Sequence, residues 1–349
     1  MYRHLMVPVD DSMLSAANVD AAVRLAERLG ARISFFHATA DLSATSDGDL
    51  LRLLSPHQFK EEALGQTHAV LSKAAASAAS LGVPCETLSR TCDRPAEAII
   101  EAAQARGCDL IMMASRGHRG ITGWLHSSQT ERVLRQSPLA LLVTRVATNN
   151  PPSAAERALG IILDEHRSIA AVVGGIRELV EHSEASSADA PDLTSLEAML
   201  AYLQAFPLKL HHPKEEALLH RFLRLRVPNC DTLLSEIELQ HELEHALVSQ
   251  TLASVTAMRM LQTNDALTTA TLVDRVNALA NAVWQHLALE ERSVLPLARL
   301  HLHEQDWVEM AAAFESNNDP GFGELPAKEF RRLFTRIANL LPAATREQV

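Results

Sequence analysis

The chain has 349 residues, 47% of them hydrophobic and 21% charged, a balance that suits two packed globular domains and excludes a disordered chain. Its net charge of −11 lies wholly in the second half: residues 1–150 hold 15 Lys+Arg and 15 Asp+Glu, and the remainder hold 17 and 28. Ten of the sixteen histidines lie in that acidic half too, which argues against nucleic acid as a partner and leaves metal binding open.

No apolar run approaches the roughly 20 residues needed to cross a bilayer, so no membrane partner is expected. The polar, Asp-rich start carries no secretion signal. The four cysteines, Cys85, Cys92, Cys108 and Cys230, lack CxxC spacing, so neither a disulfide framework nor a thiolate metal site is expected. A reducing cytoplasm fits this usage.

In chain order, short β-type runs at 3–9, 32–37, 85–91, 110–113 and 139–144 alternate with helical patterns at 12–29, 58–81, 95–105 and 127–136. This alternation predicts an α/β domain over 1–146: a parallel five-stranded sheet with helices on both faces. Residues 41–56 read as a surface loop. The stretch 147–153, Ala-Thr-Asn-Asn-Pro-Pro-Ser, is polar and helix-breaking and reads as a linker. Beyond it the β-type runs stop. Helical patterns near 156–184, 191–225, 231–262 and 267–303 predict an all-α, up-down four-helix bundle over 154–315. A loop at 317–326 and a short helix at 327–341 complete the chain over 316–349.

Five histidines are followed four residues later by Glu or His: His57/Glu61, His211/Glu215, His212/Glu216, His241/His245 and His286/Glu290. Counting alone is weak evidence; what matters is whether a pair shares the apolar face of its helix. His211 shares its face with Leu208, Leu218, Leu219 and Phe222. His241 does so with Leu234, Ile237, Val248 and Leu252, and His286 with Leu279, Val283, Val294 and Leu297. On the first bundle helix, His166 has Leu159, Ile162, Ile169 and Val173 for company. His212 shares its face with Lys209 and His220, and so reads as an outward neighbour.

Four helices thus aim imidazoles and carboxylates at one axis. Burying such carboxylates unpaired costs several kcal/mol, and a metal offsets that cost. His166, His211, Glu215, His241, His245, His286 and Glu290 exceed the four ligands of one zinc. They suit two six-coordinate ions with both carboxylates bridging. Imidazole with carboxylate favours iron, with manganese or zinc left open.

The motifs Asp164-Glu-His166, His211-His-Pro-Lys-Glu-Glu216, Gln240-His-Glu-Leu-Glu-His245 and Gln285-His-Leu-Ala-Leu-Glu-Glu-Arg-Ser-Val-Leu-Pro296 resemble a hemerythrin-like domain of the His-His-Glu cation-binding kind. In that family each matching position is an iron ligand. Oxygen-carrying members close the site with an aspartate five residues after the last histidine. Here Glu290 follows after four, as in iron-sensing and cluster-repair branches, with Glu291 as the alternative. Those branches often lack a counterpart of His245, which is retained here either as a ligand or as a hydrogen-bond donor to one.

The first domain resembles a universal stress protein. Val7-Pro-Val-Asp10 closes the first strand, Ser12 opens the first helix, and Ser137-Pro-Leu-Ala-Leu-Leu-Val143 forms the last strand. In nucleotide-binding members an aspartate at the Asp10 position contacts the nucleoside, and a Gly-x2-Gly-x9-Gly-Ser loop holds the phosphates. That loop becomes Ala114-x2-Gly117-x9-Ser127-Ser128 here. Two glycines are therefore replaced, and Ser127 sets a side chain where backbone approaches phosphate closely. ATP or a related nucleotide is the ligand this resemblance implies. A homodimer through 133–143 is the assembly it implies.

Together these readings point to a stress-response protein whose di-iron centre binds or senses dioxygen, nitric oxide or iron, coupled to a nucleotide-binding module. The enzymatic alternative is peroxide or nitric oxide turnover, or iron-sulfur cluster repair; a third is iron storage. No catalytic residue stands out, and a binding or sensing protein is the leading expectation.

Overall fold

The computed structural model describes residues 2–39, 56–92, 94–116, 129–146, 152–185, 192–261, 266–316 and 345–346. All of the loop expected at 41–56 except Pro56, which opens a helix, lies outside what is described, as do most of the linker, the segment 117–128, the loop at 317–326, the helix at 327–341 and the His57/Glu61 pair. The chain divides into two compact units, Met1–Pro151 with Pro342–Val349, and Pro152–Leu341.

In the first unit, β1 (His4–Pro8), β2 (Arg32–Thr39), β3 (Cys85–Thr91), β4 (Leu110–Arg116) and β5 (Ala140–Val146) form a parallel sheet in the order β5-β4-β1-β2-β3. A two-residue strand, Thr345–Arg346, adds in parallel to β3, so the described sheet has one short strand more than the five expected. The helices between the strands are α1 (Met13–Leu29), α2 (Pro56–Ser80), α3 (Pro95–Ala105) and α4 (Gln129–Gln136). Ser12 caps α1 by accepting from the Ser15 N–H at 3.1 Å. Gly30 closes that helix at φ +62°, a left-handed conformation that favours glycine.

Both sheet faces are covered. Val7, Ile33, Phe35, Leu110 and Met112 pack with α1 and α2, while Met6, Phe36, Leu88, Ile111 and Met113 pack with α3 and α4. Runs of consecutive buried residues, such as His4–Val7, follow from that double cover. Because the chain leaves β1 toward β2 and β3 and then returns to β4 on the other side, the strand order reverses between β1 and β4. In open α/β sheets that point opens a crevice at the carboxyl ends of the strands.

In the second unit, α5 (Ala154–Ala185), α6 (Leu193–Ala205), α8 (Asp231–Leu261) and α9 (Ala266–Leu289) pack in a square. Beyond α6 the second helix continues as a π-helical stretch (Pro207–His211), an α turn (His212–Lys214), a second π stretch (Glu215–His220) and α7 (Arg221–Arg226). Similarly, α9 continues through a π stretch (Glu290–Val294) into α10 (Leu295–His301). Proline lacks an N–H and crowds the carbonyl four residues back, and Pro207, Pro213 and Pro296 fall in or beside these widened turns. The widening is visible where His211 N–H donates to Phe206 O at 3.3 Å, five residues back.

A fifth helix, α11 (Glu304–Glu315), lies beyond the fourth helical pattern, which is expected to end near 303; it packs on α5 and buries Trp307, Met310, Ala311 and Phe314. Apolar layers lie on both sides of the bundle's midpoint. Ile162, Leu219, Phe222, Ile237, Val294 and Met310 are on one side. On α5 and α8 the run continues past the midpoint with Ile169, Val173, Val248 and Val255. No described helix is long and apolar enough to cross a membrane.

Candidate metal centre

Between those layers the structure brings six of the seven predicted ligands together. His166, His211, Glu215, His286 and Glu290 are at most 1% exposed, and His241 is 5% exposed. Glu215 Oε1 lies 3.5 Å from His166 Nε2 and 3.0 Å from His211 Nε2. Its Oε2 lies 3.6 Å from His241 Nε2. Glu290 Oε2 lies 3.3 Å from both His166 Nε2 and His286 Nε2. The Nε2 atoms of His241 and His286 are 3.3 Å apart. Two pairs of imidazoles, His166 with His211 and His241 with His286, thus face each other across two carboxylates that touch both.

Each of these four rings is fixed from behind by a carboxylate on Nδ1. His211 pairs with Glu165 at 2.7 Å, His286 with Glu244 at 2.7 Å, His241 with Glu216 at 2.8 Å and His166 with Glu291 at 3.1 Å. Such partners set the tautomer and turn the Nε2 lone pair inward, as ligating histidines require. Glu291, the alternative to Glu290, therefore stands behind His166 and not in the centre.

The charges are mutually dependent. Burial works against a proton on His211, yet the Glu215 and Glu165 carboxylates raise its pKa to about 9. Burial likewise opposes charge on His286, which Glu244 and Glu290 raise to about 10. Burial and the neighbouring Glu290 push Glu215 upward, but His211 and His166 prevail and hold it down at about 2. In this arrangement protons on imidazole do what a cation would otherwise do.

The donor set fits a metal on a second ground. His166 Nε2, His211 Nε2, both Glu215 oxygens and Glu290 Oε1 are buried without a hydrogen-bond partner. Native interiors satisfy nearly all such atoms, and a metal at this point would satisfy these.

The seventh predicted ligand needs correction. His245 is exposed. The buried residues of α8 are Leu234, Ile237, His241, Glu244, Val248, Thr251, Val255 and Met258, a three-four alternation that admits position 244 and turns 245 outward. His212, expected to point outward, is instead 4% exposed, and His220 is fully buried. The flanking π stretches shift the phase of the helix, so the α-helical face that joined them to exposed Lys209 does not apply. The His212 ring stacks on His241 at 4.0 Å and 4°. A cleft of about 280 Å³ reaches His241 and His212 between Glu216, Glu242 and His245.

Sequence reasoning missed Glu165, Glu216 and Glu244. Their signal was present: three of the four rear carboxylates sit in doublets with a ligand, Glu165-His166, Glu215-Glu216 and Glu290-Glu291, and the fourth lies three residues after His241. Apolar and cationic neighbours complete the wall. Phe314 meets the His211 ring at 6.0 Å, and Lys214 Nζ donates to Ala313 O at 2.7 Å, tying α11 to the ligand-bearing segment.

In the first unit, Asp10 is exposed just past β1, beside the point where strand order reverses. Its Oδ1 accepts from Ser12 N–H at 2.9 Å and from the Ser12 hydroxyl at 2.5 Å. Ala114 is half-buried in β4, and its carbonyl accepts from Thr130 Oγ1 at 3.1 Å. Gly117, Ser127 and Ser128 lie outside the described residues.

A parallel α/β domain followed by a helical bundle with converging imidazoles and carboxylates defines a two-module protein, one module built to take a cation. The Universal stress protein family profile matches residues 1–145, and the Hemerythrin HHE cation binding domain profile matches residues 157–298. The chain belongs to the universal stress protein family and carries a hemerythrin-type cation-binding domain; it is a stress-response protein. Universal stress protein YxiE of Bacillus subtilis (strain 168) is 29% identical over 149 residues, covering 42% of this chain and 100% of that protein. The Universal stress protein in QAH/OAS sulfhydrylase 3'region of Thermus aquaticus is 31% identical over 146 residues, again 42% of this chain and 100% of the relative. A solved universal stress protein in complex with cAMP is 22% identical, covering 42% of this chain and 98% of its own, with a TM-score of 0.32.

Proposed function

We propose that the bundle holds two non-haem iron ions and uses them to bind or sense dioxygen, nitric oxide or iron. The observation that carries this reading is the set of four imidazoles, each fixed through Nδ1 by a carboxylate, whose Nε2 atoms converge on Glu215 and Glu290. His166 and His211 would hold one ion and His241 and His286 the other, with Glu215 and Glu290 shared. Nitrogen and carboxylate donors without sulfur favour iron or manganese over softer ions, with zinc the third choice. Bound iron would supply reversible binding of a small diatomic ligand or one-electron exchange with it. The chain's own part is to orient the rings, keep the Nε2 lone pairs free of protons when loaded, and limit approach to the cleft beside His241.

Metal analysis with optical spectroscopy on anaerobically purified protein tests this. About two irons per chain, lost on substituting His211 and Glu215 by alanine, is the expected result; full retention in that variant would move the site elsewhere. Reversible oxygen binding in aerobic solution supports a sensor. Catalytic loss of peroxide or nitric oxide would replace that role with an enzymatic one.

We further propose that the first domain binds ATP or a related nucleotide at the crevice between β1 and β4, with Asp10 on the nucleoside, and that it assembles as a homodimer through the β5 edge. Support comes from Asp10's place at the reversal of strand order. Calorimetric titration of ATP into the protein and its Asp10→Ala variant tests the first part. A change in that affinity on metal loading would establish coupling between the modules.

A further inference from the structure

Resting on the two-ion reading above, we infer that His212 takes the place of His245 as the third imidazole on the ion held by His241 and His286. The argument starts from a deficit. With His245 exposed, each half of the centre keeps two imidazoles and shares two carboxylates, leaving four nitrogens where the sequence offers five.

His212 lies where the missing donor is needed. One of its ring nitrogens falls within 4.8 Å of donor atoms of Glu215, His241 and His286, while the other half of the centre is a separate group of His166, His211 and Glu215. Two donors about 2.1 Å from one ion stand at most about 4.2 Å apart, so closing the set takes a contraction of some tenths of an ångström together with a turn of the His212 ring out of its stack on His241, because one ion cannot lie in two parallel ring planes. The His212 ring is parallel to His241 and 5.2 Å from the His286 ring.

Its surroundings differ from those of a satisfied core histidine. Among the described residues no carboxylate lies within hydrogen-bonding distance of the His212 ring. The approach of its Nε2 to Glu244 Oε2 is 3.8 Å, too long for a hydrogen bond. Glu244 is already engaged through Oε1 with His286 Nδ1. The His212 ring also lines the cleft beside His241, so a lone pair on it stands open to an entering ion. The second ion then has three imidazoles and two shared carboxylates, and the five-nitrogen total is restored with a different residue.

Anaerobic stepwise titration of metal-free, full-length protein with Co(II), read by visible absorption and metal analysis, tests the assignment. Wild type should take two equivalents. His212→Phe, which keeps burial and stacking, should keep one tight equivalent and bind the second at least ~10-fold more weakly. His212→Gln serves as the second variant should the phenylalanine variant not fold, with circular dichroism as the check. His245→Ala should titrate as wild type. The assignment is overturned if both His212 variants bind two equivalents with unchanged affinity, leaving His212 a packing wall for His241, or if His245→Ala loses the second ion. A wild type that takes no cobalt, or takes it equally after His211→Ala, overturns the two-ion reading itself.

Discussion

Glu165 Oε2 accepts from His211 Nδ1 at 2.7 Å, and the two side chains, on different helices, are 2% and 0% exposed. That contact decides which ring nitrogen faces Glu215. Removing it in Glu165→Ala leaves the ring free to turn and strands a buried N–H. Metal affinity should fall ~10–100-fold while the bundle stays folded. Glu165→Gln, whose amide oxygen still accepts, should lose less. Competition against a chelator of known affinity measures both, and an alanine variant that binds like wild type would deny Glu165 this role.

Removing the metal should destabilise the bundle specifically. A ligand present at ~1,000 times its dissociation constant adds about 4 kcal/mol to the state that binds it. Chelation should therefore lower the melting temperature of the bundle and leave that of the first domain in place, as read by calorimetry. Because loading needs neutral imidazoles and ionised carboxylates, bound metal should also be released as pH falls. A melting profile indifferent to chelator would place no metal in the purified protein's bundle.

Much of this site was legible because burial and periodicity coincide. A histidine in an apolar helical stripe has to point inward, and that logic located His166, His211, His241 and His286. It failed where the helix departs from the α period. Around Pro207 and Pro213 the π turns rephase the chain, so His212 turns inward although its α-helical face is shared with exposed Lys209. On α8 the buried stripe is narrow, and the four-residue rule selected His245 where the seam selects Glu244. The strands were legible because a doubly covered parallel sheet writes continuous apolar runs. The separate helix α11 was not, since its twelve residues begin only after the break at Leu302 and His303 where the fourth helical pattern ends.

β5 lies at one edge of the sheet, with Leu142 and Val143 each 39% exposed and Leu134 on α4 53% exposed. An apolar edge of this kind is a template for pairing with a second copy. The full chain should therefore run as a dimer by light scattering, and Val143→Asp should shift it to monomer. Dimers unaffected by that change would assign the interface elsewhere.

Asp306 couples the start of α11 to α7. Its oxygens accept from Arg226 at 3.0 Å each, and Oδ2 also accepts from the His303 N–H at 2.9 Å. The Arg226 guanidinium, against the opposing effect of burial and with help from His303 N–H, holds the carboxyl below its usual 3.8. A depressed carboxyl pKa stabilises the fold above the unfolded-state value and loses that contribution as pH falls through the folded one. Asp306→Asn should thus cost about 1 kcal/mol at neutral pH and progressively less below pH ~4. Urea unfolding of both proteins across that range reads the difference; a penalty that stays constant to low pH would show that charge is not involved.

His4 sets the opposite case in the first domain. Its Nε2 lies 2.7 Å from Ser34 Oγ, whose own proton goes to Glu86 Oε1 at 2.6 Å, so the imidazole donates to the hydroxyl. Burial first, and then the nearby Arg32, lower the His4 pKa below 6.5 despite Glu86 and Asp109. The unfolded chain therefore binds the proton more readily, and the stability this residue confers is complete above pH ~6.5 and lost as pH falls toward the folded value. His4→Gln removes that titration while keeping a donor of similar reach. Between pH 7.5 and pH 5 the wild-type first domain should lose more stability than the variant, so that a penalty of about 1 kcal/mol at the higher pH shrinks at the lower. Parallel pH slopes in the two proteins would mean that His4 takes up its proton alike in the folded and unfolded chain, with Glu86, 3.8 Å from its Nε2, cancelling the effect of burial.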